Sequence, residues 1–288
     1  MVCGMKRVFR YLIGAALVLM SQSAMSQDVR LNYSLGGGVE MLRYTPDIGE
    51  SQPGGGVSFL WQYQQFFTKH FGYGVGLGIS YFTANYHIDE TIEQEIVDET
   101  DAGRPYILRT IFDDFNEKQK TLQLEVPLGL YLRLRVSENS RFIIGGGPKV
   151  DFPLICKFDY TEGSVETRAY FGGDIDAELR ELPQHGLYVQ KPKESNRIDR
   201  EVALLSVYAD MLWTYRFNNS SIIHLGAYFS YGISDMVSNH DAVMGVERKS
   251  ILNSTLTEKV VPVCIGLKVG VTVPYQGGGG GRSSFDGY

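Results

Sequence analysis

The stretch from Thr121 to Val136, TLQLEVPLGLYLRLRV, decides the fold because it alternates without interruption. Successive side chains of a β-strand point to opposite faces. Every second residue from Leu122 to Val136 is leucine or valine, whereas the intervening face carries Gln123, Glu125 and Arg133. A strand of a soluble sheet is typically about 5–6 residues long, whereas a membrane-spanning strand needs about 9–11 with this pattern. The pattern therefore predicts a transmembrane β-strand.

The N-terminal residues have the features of a secretory signal peptide. Lys6, Arg7 and Arg10 precede an apolar run, YLIGAALVLM, and Ala24 and Ser26 are the small residues of a cleavage site. About ten apolar residues are too few to cross roughly 30 Å of hydrocarbon as a helix. We therefore expect residues 1–26 to be removed on export.

Charge and composition exclude other classes of protein. Loss of Lys6, Arg7 and Arg10 takes the formal net charge from −6 to −9, which argues against a nucleic-acid partner. The mean hydropathy of −0.12 is typical of a soluble chain, but alternation hides a lipid-facing surface from such averages. The strand phase points Cys156 outward and Cys264 inward, so both are expected to be free thiols, and no metal or cofactor spacing is present.

Comparable alternation recurs along the chain and predicts about eight strands. The segments are 31–45, 55–67, 71–86, 121–136, 141–160, 201–217, 221–235 and 259–275. Short connections at 68–70, 137–140 and 218–220 alternate with connections at 46–53, 88–117, 161–200 and 236–258. Outer-membrane barrels have short periplasmic turns and longer extracellular loops. The fold class predicted is therefore all-β, an antiparallel transmembrane β-barrel of about eight strands at residues 27–275, with both termini periplasmic. A soluble lipocalin-like barrel is the alternative.

Two further features concern the ends of the strands. Aromatic residues near one rim predict an interfacial girdle, namely Phe66, Phe67, Phe71, Trp213, Tyr215, Phe217 and Tyr275. Residues 276–288, QGGGGGRSSFDGY, cannot continue a strand and are expected to form a flexible periplasmic tail.

Four segments resemble the small outer-membrane β-barrel family of Gram-negative bacteria, described as porin-like or OmpA-type. They are KQKTLQLEVPLGLYL (118–132), GGGPKVDFPLICKF (145–158), LPQHG (182–186) and EKVVPVCIGLKVGV (258–271). The resemblance covers roughly residues 31–275 and implies an architecture rather than an activity. Many relatives carry a peptidoglycan-binding domain after the barrel, and the glycine-rich tail departs from that pattern.

The inward face of the predicted barrel carries charges that are expected to pair. They are Glu40, Glu125, Arg133, Arg135, Lys149, Asp151, Asp210, Arg216 and Lys268, with Lys157 and Asp159 in the same phase. The interior of an eight-stranded barrel is just wide enough to be filled by side chains. Glycines at 72, 74, 76 and 78 would make room for long neighbouring side chains such as Tyr131. We therefore expect a packed polar lumen, and a narrow ion path is the alternative.

The loop near residue 90 is acidic. Asp89, Glu90, Glu93, Glu95, Asp98, Glu99 and Asp101 occur there without a basic residue between them. Hard divalent cations take oxygen ligands, so this loop is a candidate cation-binding surface near lipopolysaccharide, although a solvated acidic loop is the simpler interpretation.

Catalysis has little support in the sequence. The chain has five histidines, of which His224 is expected to face inward as a hydrogen-bonded filler, and the partners of His240 and Asp241 are unidentified. We expect a monomeric, non-enzymatic barrel that contacts outer-membrane lipid and lipopolysaccharide. It would act in envelope structure or bind a protein partner through its loops or tail. The alternative is a small porin or an accessory subunit of a transport or secretion complex.

Overall fold

The computed structural model describes residues 28–45, 49–97, 105–172, 176–190, 195–218, 221–242 and 249–275. The predicted signal peptide (1–26) and the predicted tail (276–288) lie outside these residues. No helix in the described ranges is long and apolar enough to span a membrane.

Eight long strands dominate the fold. They are β1 (Asp28–Thr45), β3 (Gly54–Phe66), β4 (Phe71–Ile88), β6 (Pro105–Arg135), β7 (Ser140–Phe171), β11 (Leu204–Asn218), β12 (Ser221–Gly232) and β13 (Lys259–Tyr275). Every pairing between neighbours is antiparallel, in the order β7-β11-β12-β13-β1-β3-β4-β6. The pairing of β6 with β7 joins the two ends of this order, so the strands form a closed ring.

The predicted total of about eight strands was wrong, because the described residues contain thirteen. The five additional strands are short: β2 (Glu50–Gln52), β5 (Thr91–Val97), β8 (Ala177–Leu179), β9 (Val189–Gln190) and β10 (Ser195–Arg197). They occur in the regions that we expected to be loops at 46–53, 88–117 and 161–200. Strands β6 and β7 also extend into two of these regions, since their backbones continue to pair as far as Ile107 and Tyr170.

The two rims of the ring differ. At the rim that we call the turn end, 67–70, 136–139 and 219–220 connect consecutive long strands. At the opposite rim, the loop end, β5 pairs with the distal part of β6, while β8 and β9 pair with the distal part of β7. Two 3₁₀ helices, Pro183–His185 and Ile251–Asn253, also occur in the loop-end connections.

The outer face of the ring is apolar, as the alternation predicted. Leu130 is 72% exposed, and leucine, valine and isoleucine side chains of β1, β4, β12 and β13 are exposed in the same phase. This belt ends towards the loop end, where Lys120 of β6 and Thr83 of β4 follow Leu122 and Tyr81 on the outward face. Residues beyond Lys120 therefore lie outside the apolar belt.

One irregularity in β7 reverses the predicted phase of its distal half. Leu122 pairs with Ile155 and Gln123 pairs with Pro153, so Leu154 is an extra residue. Such a bulge moves every following side chain to the other face. Consequently the predicted outward position of Cys156 and the predicted inward positions of Lys157 and Asp159 were wrong. Cys156 and Phe158 are buried inside the ring, Lys157 is exposed, and Asp159 forms an ion pair with Lys120.

Candidate functional site: the filled lumen and its two ends

The inward face of β1 shows how the lumen changes along its axis. From the turn end it reads Arg30, Asn32, Ser34, two glycines, Glu40, Leu42 and Tyr44. A basic end is followed by polar side chains, then by carboxylates, then by apolar side chains. The other strands contribute to the same layers.

Four charged side chains form what we call the lumen cluster: Glu40, Glu125, Lys149 and Asp151. Lys149 Nζ lies 3.3 Å from Glu125 Oε1 and 3.2 Å from Asp151 Oδ1. Ser80 Oγ donates to Glu125 over 2.7 Å and Ser206 Oγ donates to Asp151 over 2.6 Å. Charges buried in a protein are stable only when they are paired and hydrogen-bonded, and Glu125, Lys149 and Asp151 meet that condition.

A second ion pair and two tyrosines fill the middle of the lumen. Lys268 Nζ lies 2.7 Å from Asp210 Oδ2, and both side chains are buried. The Tyr131 and Tyr208 hydroxyls are 2.8 Å apart, and Gln62 Nε2 donates to Tyr131 over 2.6 Å. A Cβ at position 145 would lie 2.2 Å from the Tyr131 ring, so Gly145 provides the space that this ring needs.

His224 is a buried filler, as expected from the sequence. Its Nε2 lies 2.9 Å from Ser34 Oγ and its Nδ1 lies 3.1 Å from Thr272 Oγ1. Thr272 Oγ1 in turn donates to Asn32 Oδ1 over 2.6 Å. Both ring nitrogens of His224 are therefore hydrogen-bonded to neighbouring hydroxyl groups inside the ring.

At the turn end, five arginines define what we call the arginine mouth: Arg30, Arg133, Arg135, Arg141 and Arg216. Asp28 accepts hydrogen bonds from Arg30 Nε and Nη2, at 3.0 and 2.8 Å, and also pairs with Arg133. The Phe66 ring lies 4.1 Å from Arg133 Cζ and 5.6 Å from Arg30 Cζ, in cation–π contact.

Three sequence expectations change at this end. Arg135 is exposed rather than enclosed in the lumen, because it pairs with Arg141 at the last position of the β6–β7 ladder. Arg216 is half-buried because it also lies near a strand end, two residues before the end of β11. Phe66 is fully buried and therefore does not belong to the predicted girdle, whereas Phe67, Phe71, Trp213, Tyr215 and Phe217 are exposed at this rim.

The loop end is closed by what we call the apolar cap, which the sequence analysis missed. It contains inward side chains of the long strands together with Ile198, Met236, Val237, Ile251, Leu252 and Leu256 from the connections. Ile251 and Leu252 are fully buried. The sequence signal was the pairs Met236–Val237 and Ile251–Leu252 in the connection 236–258, which we had assigned to a loop.

Hydrogen bonds hold residues 249–257, which we call the plug segment, inside the ring. Asn253 Nδ2 donates to the backbone oxygens of Asp199 and Asn239 at 2.9 and 3.1 Å. Glu117 accepts from the Ile251 backbone amide at 3.0 Å and from the Ser250 hydroxyl. Burial raises the pKa of the Glu117 carboxyl to about 7.

His240 also serves this end of the molecule. Its Nε2 lies 2.8 Å from Asp235 Oδ2 and its Nδ1 lies 3.0 Å from Thr257 Oγ1. Asp235, not the adjacent Asp241, is therefore the carboxylate partner. The Thr257 hydroxyl is buried and within hydrogen-bond distance of three backbone oxygens of the plug segment, so the constellation braces this segment.

The acidic loop is only partly described, since Asp98, Glu99 and Asp101 lie outside the described residues. Asp89 and Glu90 line an open pocket of about 400 Å³ with Asp113 and Glu166. Glu93 instead pairs with Arg109 at 2.7 Å, and Glu95 is exposed on β5. In the described residues no group of three or more acidic, histidine or cysteine side chains has the geometry to hold a metal ion.

The chain belongs to the family of outer membrane protein β-barrel domains, whose family model matches residues 20–238. It is therefore an outer-membrane barrel protein. No protein in the curated set matches the sequence.

Solved structures of outer-membrane barrels resemble it weakly. Ail, the attachment invasion locus protein of Yersinia pestis, is 11% identical with a TM-score of 0.32, and the match covers 85% of this chain and 99% of that one. Neisserial surface protein A is 7% identical with a TM-score of 0.33, covering 86% and 97%. The translocator domain of the autotransporter NalP from Neisseria meningitidis is 10% identical with a TM-score of 0.25, covering 94% and 98%.

Proposed function

We propose that this protein is a closed, non-conducting and non-enzymatic outer-membrane barrel that binds a partner through the strands of its loop end. The proposal that the barrel is closed rests on the filling of its lumen at two levels. The lumen cluster and the tyrosines fill the wall region, and the apolar cap fills the loop end. A cavity of about 60 Å³ lies beside Glu40, Lys149 and Lys268, which is room for a few water molecules.

Conductance in planar bilayers tests the closure. We expect the folded chain to show no steady openings. Tyr131→Ala combined with Tyr208→Ala should create openings only when Leu252→Asp also opens the apolar cap, because the two rings and the cap close different parts of the lumen. Tyr33→Ala is the matched control, since Tyr33 faces outward and is 38% exposed. Steady openings of the unmodified protein would refute the closure and favour the small-porin alternative.

The second part of the proposal concerns the strand extension, by which we mean β5, β8, β9 and the parts of β6 and β7 beyond the apolar belt. It has its own small core of Leu108, Ala169 and Leu187. Its other contacts include Arg109, which pairs with Glu93 and lies with its Cζ 4.6 Å from the Tyr170 ring centroid. These contacts support an ordered surface outside the membrane. Because the strand extension lies beyond the apolar belt, it is not needed to anchor the protein in the membrane.

The orientation follows from the same proposal. Short turns lie on the periplasmic side of outer-membrane barrels and longer connections lie outside the cell. The turn end, with both termini of the ring, would then be periplasmic, and the strand extension would face lipopolysaccharide and the exterior.

Site-specific crosslinking in whole cells tests partner binding. A photoreactive side chain at the exposed Thr91 of the extension should give a discrete crosslinked protein. The same group at Leu77, which is 46% exposed within the apolar belt, should crosslink lipid only. Identical patterns at both positions would contradict a binding surface on the extension.

A further inference from the structure

Three basic side chains occupy paired positions on neighbouring strands where the apolar belt ends towards the loop end. Lys120 of β6 pairs with Lys157 of β7, and Lys157 pairs with Arg197 of β10. Directly paired residues lie on the same face of a sheet, and neighbouring strands are about 4.7–4.9 Å apart. These three residues, which we call the basic row, therefore extend from the outer face side by side.

Direct pairing of like charges is unfavourable, because the side chains repel each other across the strands. Asp159 forms an ion pair with Lys120 and offsets part of this repulsion. Lys157 and Arg197 are exposed, and within the described ranges neither side chain forms an ion pair. Both are therefore accessible to an anion that is not part of the chain.

The basic row lies at the depth where hydrocarbon gives way to water. Two residues further towards the turn end, Leu122 pairs with Ile155, and Tyr81 of β4 pairs with Leu122. Ile155 is 47% exposed and Tyr81 is 42% exposed. Tyrosine is enriched at this boundary of a membrane, at the level of the lipid headgroups. The basic row is therefore placed at headgroup depth.

The bulge in β7 enlarges the apolar surface next to the basic row. Because Leu154 is an extra residue, its side chain is exposed beside that of Ile155 instead of facing the lumen. Arg200 holds the bulge, since its Nε donates to the Pro153 backbone oxygen at 2.7 Å and its Nη2 donates to that of Leu154 at 2.6 Å. Bulges are frequent next to functional sites, where they redirect side chains. Here the bulge places two adjacent apolar side chains directly on the membrane side of Lys157.

We infer that the basic row binds a phosphate group of lipopolysaccharide, with an acyl chain of the same molecule against Leu154 and Ile155. Lysine and arginine bind phosphate oxygens through charge-assisted hydrogen bonds, and a cluster of them at a membrane surface favours an anionic lipid headgroup. The inference rests on the orientation given under the proposed function, because lipopolysaccharide occupies the outer leaflet. It does not depend on partner binding by the strand extension or on whether the lumen conducts.

The test uses the full chain folded in nanodiscs, with lipid A, the phosphorylated anchor of lipopolysaccharide, as the probe. Increasing fractions of lipid A in phosphatidylcholine should raise the midpoint of thermal unfolding in a saturable manner. Phosphatidylglycerol at equal total charge should have a much smaller effect. An equal effect of the two lipids, or no saturable effect of lipid A, would overturn the inference.

Variants locate the site. Lys157→Gln combined with Arg197→Gln should weaken lipid A binding at least tenfold, and both positions are exposed, so the change does not disturb the interior. Arg43→Gln is the matched control, because Arg43 is an exposed arginine that follows Met41 beyond the belt on β1 but pairs with Val261. Its affinity for lipid A should not change. Equal weakening by the double variant and the control would show general charge attraction and would refute a site.

The orientation is measured separately, so that the two proposals fail in different ways. In intact cells, an impermeant maleimide should label Thr91→Cys on the strand extension. Labelling only after the outer membrane is opened would refute the orientation and, with it, lipopolysaccharide as the ligand. Labelling in intact cells without saturable binding of lipid A would overturn the inference alone and leave the proposed function standing.

Discussion

The two ends of the lumen are closed by opposite chemistry. The loop end is sealed by apolar side chains, together with a segment that folds back into the ring and is fully buried at Ile251 and Leu252. The turn end is narrowed by arginines arranged around Asp28 and Phe66. Apolar closure depends on the exclusion of water. Closure by charged side chains depends on counter-ions, so its stability changes with the ions in the surrounding solution. The comparison predicts that the two ends respond to different perturbations.

The largest effect is expected at the plug segment. Leu252→Asp would place a charge in the apolar cap and should release residues 249–257, at a cost of about 4–5 kcal/mol. Hydrogen exchange of this segment measures the release. Val202→Asp is the control, because Val202 is 62% exposed and should tolerate the change. Unchanged protection in Leu252→Asp would mean that the cap does not hold the segment.

A somewhat smaller effect is expected at the turn end. Asp28→Asn removes the carboxylate between Arg30 and Arg133, and breaking a buried pair costs about 3–4 kcal/mol. The urea midpoint of unfolding should fall and should become more sensitive to added anions than in the unmodified protein. Loss of stability without any such anion dependence would contradict the role assigned to charge at this end.

The pH dependence of the loop end follows from Glu117. The pKa of this carboxyl is raised from 4.5 to about 7, so the folded state holds the proton more tightly than the unfolded state. The free energy that the bound proton contributes to the folded state is on the order of 3 kcal/mol. This contribution is complete below pH 4.5 and is lost as the pH rises towards 7. Protection of residues 249–257 from hydrogen exchange should fall over that window. Glu117→Gln should remove the dependence, and an unchanged pH profile in this variant would assign it to another group.

The smallest effect is expected in the strand extension. Arg109 pairs with Glu93 and contacts the Tyr170 ring, but its surroundings are exposed to water. Arg109→Ala should therefore leave the free energy of unfolding almost unchanged. A reduction of crosslinking at Thr91 without loss of stability would show that this arginine belongs to the partner-binding surface.

The sequence predicted the wall well because membrane alternation is a local property. Between Leu122 and Leu134 of β6, every second residue is apolar and faces outward, so this one uninterrupted stretch shows the pattern. The wrong inward and outward assignments in β7 have a different cause. The bulge at Leu154 adds a residue without any local sign, and it reversed the assignments of Cys156, Lys157 and Asp159. Register depends on both paired strands, so one strand cannot reveal it.

By itself, the sequence determined the apolar belt, the closed antiparallel architecture and most of the charges inside the lumen. The belt and the lumen charges follow from a repeat of two residues, which the hydrophobic effect enforces along every strand, and the antiparallel ring follows from the alternation of short and long connections. Only the tertiary structure decided how each end is closed. Ile251 and Leu252 become part of a core because strands distant in sequence surround them, and Arg30 approaches Arg133 because ring closure brings both to Asp28 across the lumen. Contacts between distant segments have no periodic signature, so they appear only when the ring closes.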